Sequence, residues 1–254
     1  MTKNAVIYGG GGAIGSAVAA VLAKQGVRVH LLGRTLERLK AAAAGIENAE
    51  VAVVDAVDEA AVVEHAESVV ARFGSLDISL TVIARGDVQG TPLTSLPVED
   101  FVAPVTNAAR AGFITARTAA RLMAAQGSGV IVALNSGSGH AGSPMMGGTG
   151  PADATIDSLV RNLAIETGPS GVRVVGVWVA GIPETLSAEA LGAVNPDLGT
   201  PEALQGVLNH LDSLRMTKRS PRLAEVAETV AFLASDHARG ITGTFVNVTG
   251  GMFS

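Results

Sequence analysis

The segment VIYGGGGAIGSAVAAVLA, residues 6–23, decides the fold class of this chain. Within it, Gly10, Gly12 and Gly15 have the G-x-G-x-x-G spacing, between an apolar run typical of a strand and a helical pattern. This arrangement brings backbone N–H groups and the positive end of a helix dipole towards a pyrophosphate. The segment therefore predicts a dinucleotide site, and a tight glycine turn without a ligand is the alternative. The expected contacts come from consecutive residues, namely Gly9, Gly10, Gly11, Gly12, Ala13, Ile14 and Gly15.

Short Val- and Ile-rich runs alternate with helical patterns along the rest of the chain. The predicted strands are 4–8, 27–32, 50–55, 76–84, 129–135, 171–179 and 243–249. Further helices are predicted over 58–73, about 98–125, 151–167 and 222–235. This alternation indicates an α/β fold, a Rossmann-type doubly wound parallel sheet of about seven strands with helices on both faces. We expect a single domain over residues 1–254. Residues 183–220 break the alternation and are expected to form a lid or substrate-binding region.

The composition excludes several classes of function. The chain has 254 residues, with 18 Lys and Arg against 23 Asp and Glu, so a nucleic-acid partner is not expected. The absence of cysteine excludes disulfides, thiolate zinc sites and a cysteine nucleophile, and we expect no metal site. The start, MTKNAVIYGG, lacks the apolar region of a signal peptide, and no apolar run is long enough to span a membrane. We therefore expect a cytoplasmic protein without a membrane partner.

The end of the second predicted strand bears on the choice of cofactor. An NAD site usually has an acidic residue there to bind the ribose 2′-hydroxyl. This chain has LLGRT at residues 31–35, with Arg34 and no carboxylate before Glu37. Because an arginine can pair with a 2′-phosphate, NADP(H) is favoured over NAD(H). A solvated surface arginine is the alternative.

Over essentially its whole length the sequence resembles the short-chain dehydrogenase/reductase family. The family's first turn, T-G-x-x-x-G-x-G, corresponds to YGGGGAIG at residues 8–15, in which Tyr8 and Ala13 are departures. Later family motifs resemble VVDAVD (53–58), GSLDIS (74–79), VWVAGIPET (177–185) and the segment 220–251, in the same order. The resemblance implies contacts to adenine, to the cofactor beyond the fourth strand and to the nicotinamide carboxamide. These fall on Asp55 and Ala56, on Ile83 and Ala84, and on Gly181, Ile182 and Thr185, respectively.

The resemblance also implies four catalytic positions, of which this chain keeps one. In the family a serine stabilises the substrate oxygen, a tyrosine is the general acid, a lysine lowers its pKa and binds the nicotinamide ribose, and an asparagine supports a water relay. The serine corresponds to Ser136. The gap-free register of the following helix, and the separation of 13 residues from Ser136, place the tyrosine at Thr149 and the lysine at Asp153. The asparagine falls on Ala108, with Asn107 one place away.

Few residues can replace the missing acid. The sole tyrosine, Tyr8, belongs to the glycine turn, and the four lysines are distant in sequence. His140 is the nearest alternative acid, and a surface-loop histidine is its competing interpretation. The segment 149–153, TGPAD, also predicts an ordinary helix start, with Thr149 or Gly150 as N-cap, Pro151 as the first helical residue and Asp153 in the first turn.

Three functions remain open at this point. The first is an NADP(H)-dependent oxidoreductase that takes its proton from water, His140 or the substrate, which suits reduction of an activated double bond or imine. The second is a non-catalytic NADP(H)-binding sensor or partner subunit. The third, a purely structural partner, is disfavoured by the glycine turn and Arg34. Met145, Met146 and the leucine-rich stretch 186–214 favour an apolar small-molecule substrate, although a leucine stripe is also typical of a core. The family resemblance implies a homodimer or homotetramer.

Overall fold

All seven predicted strands are present and form one parallel sheet. The computed structural model describes residues 2–194 and 196–252. The strand order is β3-β2-β1-β4-β5-β6-β7, which confirms the Rossmann-type doubly wound prediction. The strands are β1 (Asn4–Tyr8), β2 (Arg28–Gly33), β3 (Ala49–Val53), β4 (Ile78–Thr81), β5 (Gly129–Asn135), β6 (Val172–Trp178) and β7 (Phe245–Asn247).

Eight helices accompany the sheet in the described part of the chain. They are α1 (Ala13–Lys24), α2 (Leu36–Ala43), α3 (Glu59–Phe73), α4 (Val98–Gln126), α5 (Thr149–Thr167), α6 (Ala188–Val194), α7 (Pro201–Leu214) and α8 (Leu223–Ala234). The sequence did not predict α2, because this short helix buries only Leu39 and shows little apolar periodicity. Residues 183–220 contain α6 and α7, so this region has helices of its own. None of the described helices is both long and apolar enough to span a membrane.

The helices cover both faces of the sheet, which explains why its central strands are mostly apolar. On one face, α1, α2 and α8 contribute Val18, Leu39 and Val230 to a buried cluster. On the other face, α3, α4 and α5 contribute a second cluster that includes Val62 and Ile156. A central strand such as β1 is buried along its whole length. Strands with two covered faces are expected to be continuous apolar runs rather than alternating ones.

The strand order places the candidate site at the carboxyl ends of β1, β4 and β5. The chain runs outward from β1 through β2 to β3 and then returns to pair β4 on the other side of β1. At such a reversal the connections that follow the two neighbouring strands diverge and leave a crevice at the edge of the sheet. The glycine turn follows β1, and the segments containing Ala84 and Ser136 follow β4 and β5.

The start of α5 differs from its prediction. The helix begins at Thr149 with Gly148 as N-cap, so the assignment of Thr149 or Gly150 as N-cap and Pro151 as first helical residue was wrong. Pro151 is tolerated within the first turn because the N–H groups there have no partner inside the helix. Asp153 consequently lies in the second turn, and its carboxylate has partners that a helix dipole alone would not supply.

Candidate functional site

The glycine turn after β1 is shaped by two close backbone contacts. Gly9 has φ +90°, and a Cβ at this position would lie 2.1 Å from the carbonyl oxygen of Val82. A Cβ on Gly15 would lie 2.4 Å from the carbonyl oxygen of Gly9. The N–H groups of Gly9 and Gly10 both donate to the carbonyl of Leu32, at 2.9 Å. Only glycine fits at Gly9 and Gly15, and the turn is held against the neighbouring strand.

The turn leads into α1 and lines a cavity of about 250 Å³. The N–H groups of Ala13 and Ile14 have no backbone acceptor among the described residues, as is usual in the first turn of a helix. Such N–H groups and the helix dipole favour an anion. The predicted cofactor residues that line the cavity are Gly9, Gly11, Gly12, Arg34, Asp55, Ala56, Ile83 and Ala84. Gly10, Ala13, Ile14 and Gly15 shape the turn beside it. The chain thus has a backbone cradle that fits a dinucleotide pyrophosphate.

Two arginines stand at the β2 end of this cavity. Arg34 and Arg38 are exposed and line the cavity, and neither makes a salt bridge within residues 2–194 and 196–252. Thr35, the N-cap of α2, makes no side-chain cap hydrogen bond. The charges of Arg34 and Arg38, together with the start of α2, therefore make this part of the cavity positive. The two guanidinium groups can donate hydrogen bonds to an anion there.

The loop after β3 forms another part of the cavity wall. The carboxylate of Asp55 accepts a hydrogen bond from the N–H of Val57 at 3.2 Å. Nε of Arg110, on α4, donates to the carbonyl of Val57 at 3.2 Å. These bonds hold Asp55 and Ala56 in the cavity wall, where the resemblance expects contact with adenine.

Asp153 and Ser136, which occupy two of the four predicted catalytic positions, are in direct contact. Asp153 is completely buried, and its Oδ2 accepts hydrogen bonds from Ser136 Oγ at 2.5 Å and from the N–H of Ser138 at 2.9 Å. Ser136 Oγ also shares a hydrogen bond of 2.7 Å with Ser138 Oγ. The hydroxyl proton of Ser136 is therefore directed to the carboxylate and away from any substrate oxygen.

The cation beside this carboxylate is Arg85, which the sequence reasoning missed. Nη1 of Arg85 lies 2.6 Å from Oδ1 of Asp153, and Nε and Nη2 pair with the two carboxylate oxygens of Asp87 at 3.2 and 3.0 Å. Burial acts to lower the pKa of Arg85, but the charges of Asp153 and Asp87 outweigh it and raise that pKa above its usual value. Asn107 Nδ2 donates to the Arg85 carbonyl at 2.9 Å. The signal available in the sequence is a basic residue just beyond β4, at the crevice edge.

Thr149 does not join Ser136 and Asp153 in a hydrogen-bonded triad. Its side chain is buried, and Oγ1 accepts a hydrogen bond from Gln89 Nε2 at 3.2 Å. Gln89 belongs to the same β4–α4 connection as Arg85. That connection and the start of α5 are thus joined by two side-chain contacts, Gln89 to Thr149 and Arg85 to Asp153.

The alternative acids differ in accessibility. Tyr8 is buried in β1, and burial raises its pKa far above the usual value, which excludes it as a proton donor near neutral pH. His140 is half-exposed, with Nε2 3.4 Å from Oδ2 of Asp157 and its ring 4.3 Å from that of Trp178. Asp157 is buried and accepts a hydrogen bond from Asn135 Nδ2 at 2.8 Å. His140 therefore lies in an exposed loop, with its ring next to a buried carboxylate.

The segment after β6 is tightly folded. Gly181 has φ +56°, Ile182 is buried, and Thr185 Oγ1 donates to the Ile182 carbonyl at 2.8 Å. None of these three residues lines the 250 Å³ cavity. Among the described residues, no group of three or more histidine, aspartate or glutamate side chains is arranged to bind a metal ion.

This geometry agrees with comparisons to known proteins. A family profile described as enoyl-(acyl carrier protein) reductase matches residues 11–253. The chain belongs to the short-chain dehydrogenase/reductase family. It is a dehydrogenase/reductase-type oxidoreductase by family, and members of the family bind NAD(P).

Individual relatives cover nearly the whole chain. The oxidoreductase asL5 of Sarocladium schorii is 32% identical over 98% of this chain and 95% of its own length. Levodione reductase of Leifsonia aquatica is 30% identical over 97% and 92%, respectively. A levodione reductase crystal structure, 27% identical, superimposes with a TM-score of 0.87 and covers 98% of this chain and 96% of its own. The enoyl-[acyl-carrier-protein] reductase [NADH] of Synechocystis sp. is 33% identical over 78% of this chain and 72% of its own length.

Proposed function

We propose that this protein is an NADP(H)-dependent reductase whose substrate is an activated double bond, either a conjugated alkene or an imine. The observation that carries the proposal is the Asp153–Ser136–Arg85 contact beside a dinucleotide cradle. The cradle supports hydride transfer, whereas Ser136, Thr149 and Asp153 lack the acid that carbonyl reduction requires.

The preference for NADP(H) is supported by Arg34 and Arg38. Both guanidinium groups line the cavity without a salt bridge in the described part of the chain. The loop at residues 33–36 has no carboxylate to bind a ribose 2′-hydroxyl. Charge-assisted hydrogen bonds to a 2′-phosphate are typically strong, so a phosphate group would add to the affinity. The relative whose name specifies NADH does not bear on this choice, which rests on the residues of this chain.

The choice of substrate follows from the proton that is missing. In reduction of a conjugated alkene, hydride adds to one carbon, and the electron pair of the double bond moves towards an activating oxygen. Water can then protonate the adjacent carbon. The bound cofactor supplies the hydride, and this chain's residues orient the two reactants and exclude other water. Such a step needs less acid catalysis than reduction of an isolated carbonyl. The enoyl reductase description of the matching profile is consistent with this chemistry.

The proposal also covers the substrate, the region 183–220, the assembly and the localisation of the protein. The substrate is a small apolar molecule, and residues 183–220 cover it as a lid. The chain forms a single domain over residues 1–254, assembles as a homodimer or homotetramer and acts in the cytoplasm. His140, oriented by Asp157, is the alternative source of the proton.

A titration followed by a substrate panel tests the proposal. Purified protein is titrated with NADPH and NADH by fluorescence, and consumption of NADPH is then measured with cyclic enones, cyclic imines and simple ketones. We expect tighter binding of NADPH and turnover of enones or imines ahead of ketones. Failure to bind either cofactor at millimolar concentration, or a clear preference for unactivated ketones, would contradict the proposal.

A second function is favoured by the engagement of Ser136 Oγ with Asp153. A site in which the retained serine cannot donate to a substrate oxygen suits a protein that binds NADP(H) without redox chemistry. Tight NADPH binding with no turnover across the whole panel would support this function over the first.

A further inference from the structure

Arg215 lies immediately after α7 and is completely buried. Its Nη2 donates to the carbonyls of Ala180 and Gly181, at 2.7 and 3.1 Å, and its Nε donates to the carbonyl of Thr249 at 2.9 Å. Burial lowers the pKa of Arg215, against the opposing charge of Asp212. A buried cation is costly unless polar groups surround it. Here the compensation comes mainly from backbone carbonyls of two different connections.

Arg215 joins the two ends of the segment 183–214, because it follows the segment and binds backbone carbonyls that precede it. The chain leaves β6, passes Gly181 and Ile182, enters this region and returns to Arg215, which binds the carbonyl of Gly181. Space at the contact is fully used, because a Cβ on Gly181 would lie 3.0 Å from Arg215 Nη2. Both ends of the excursion are therefore fixed at one point, together with the turn after β7.

The ion pair of Arg215 is weak compared with its backbone contacts. Oδ1 of Asp212 is 4.0 Å from Nη1, and Nη1 has no hydrogen-bond partner among the described residues. Asp212 instead accepts hydrogen bonds from the N–H and hydroxyl of Ser220. The Arg215 side chain therefore donates its hydrogen bonds to the backbone carbonyls of residues 180, 181 and 249 rather than to a carboxylate.

We propose that Arg215 is a positioning residue for the nicotinamide half of the cofactor. This inference rests on the proposed function and on the expectation, implied by the family resemblance, that Gly181, Ile182 and Thr185 meet the nicotinamide carboxamide. By holding the carbonyls of Ala180 and Gly181, Arg215 sets the orientation of the following peptide groups towards the carboxamide. By the same contacts it holds the start and the end of the excursion from β6 together. The adenosine half, bound by the glycine turn and Arg34, does not depend on Arg215.

The test compares two ligands that differ in the nicotinamide half. Wild type, Arg215→Met and Arg215→Lys are titrated with NADPH and with adenosine 2′,5′-bisphosphate, which has no nicotinamide. Arg239→Met is the matched control, because Arg239 is exposed and its removal changes the net charge equally. We expect Arg215→Met to weaken NADPH about tenfold or more while the affinity for the adenosine ligand stays within about twofold. Arg215→Lys should be intermediate, because an ammonium keeps the charge but cannot reach three carbonyls in the same way.

Backbone hydrogen exchange of the free protein gives a second readout that needs no ligand. We expect faster exchange over residues 179–182 in both Arg215 variants and no change in Arg239→Met. If Arg215→Met does not fold, Arg215→Lys supplies both measurements. Equal loss of affinity for the two ligands, or unchanged NADPH affinity and exchange, would overturn the proposal. If wild type binds neither ligand, the proposed function fails, and unchanged exchange would still refute the anchoring role by itself.

Discussion

Oδ1 of Asp153 lies 2.6 Å from Nη1 of Arg85, so the carboxylate at the family's lysine position has a cation of its own. The charge at this point is reversed relative to the family, and a residue from the β4–α4 connection compensates it. Because Asp153 is completely buried and only 13% of the Arg85 side chain is exposed, neither charge can be changed alone without leaving the other poorly compensated.

This pairing determines how the family's tyrosine and lysine could be restored. In Asp153→Lys, a buried ammonium would replace the carboxylate next to Arg85. We expect a loss of about 3–5 kcal/mol in the free energy of unfolding, or roughly 10 °C in melting temperature. The double variant Thr149→Tyr with Asp153→Lys should lose stability for the same reason. Thermal unfolding of each variant measures the effect.

The matched variant adds Arg85→Gln to the same two substitutions. Removing the guanidinium relieves the repulsion, so the triple variant should recover most of the lost stability and allow a test of ketone reduction with NADPH. If Asp153→Lys alone is as stable as wild type, the Arg85–Asp153 contact does not have the importance assigned to it.

The cofactor preference leads to a prediction about Arg34. Arg34→Ala should weaken NADPH about 10- to 100-fold, because a charge-assisted hydrogen bond contributes about 1.5–3 kcal/mol. NADH affinity should change little, because NADH has no 2′-phosphate. Fluorescence titration of both cofactors against the variant measures the two effects. Arg38→Ala, in the first turn of α2, shows how the contact is shared, and Arg239→Ala is the control for net charge. Equal weakening of NADPH and NADH would refute the 2′-phosphate assignment.

The sequence predicted the sheet well because its strands are covered on both faces. Runs such as residues 4–8 and 129–135 are mostly apolar, and their predicted bounds match β1 and β5. The glycine turn was equally accessible, because its spacing reflects backbone contacts such as that between Gly15 and Gly9. Features that depend on local backbone geometry and on burial leave patterns that can be recognised in the sequence alone.

The charge network was not accessible in the same way. Arg85 and Asp153 are 68 residues apart, and their contact depends on the β4–α4 connection packing against α5. The pairing of His140 with Asp157 likewise depends on how the β5–α5 connection folds back on α5. The sequence showed that Asp153 departs from the family, but nothing in its local pattern indicated which residue compensates it.

The glycine turn provides a stability prediction with an internal control. Gly9→Ala combines a positive φ with a Cβ 2.1 Å from a backbone oxygen, so the turn must move. We expect a loss of several kcal/mol, about 1–2 from the backbone conformation and about 1–3 from overpacking. Gly12 has φ −90°, and its Cβ would lie 3.4 Å from the Gly9 carbonyl oxygen. Gly12→Ala should therefore change stability by less than about 1 kcal/mol. Urea unfolding of the two variants measures the difference, and similar losses would contradict it.

The pH dependence of stability should follow from His30 in β2. Its side chain is fully buried, and burial lowers its pKa from 6.5 to about 4, although Glu50 opposes this shift. The charges of His65, Arg28 and Arg72 lower it further. Since the folded pKa lies below the unfolded one, the unfolded chain binds more protons between these values. Stability is therefore fully present above pH 6.5 and is lost as the pH falls towards 4, by up to roughly 3 kcal/mol.

Urea unfolding at intervals between about pH 7.5 and about pH 4 measures how the free energy of unfolding changes with pH. The expected slope is roughly 1.4 kcal/mol per pH unit at its steepest. His30→Leu removes the titrating ring and places an apolar side chain at this buried position of the strand, so most of the slope should disappear. Burial also lowers the pKa of His65, so His65 should account for part of the remainder. His237→Gln is the control, because His237 is exposed and its loss should leave the slope unchanged. A His30→Leu variant with the full wild-type slope would show that other groups bind the protons that unfold this protein in acid.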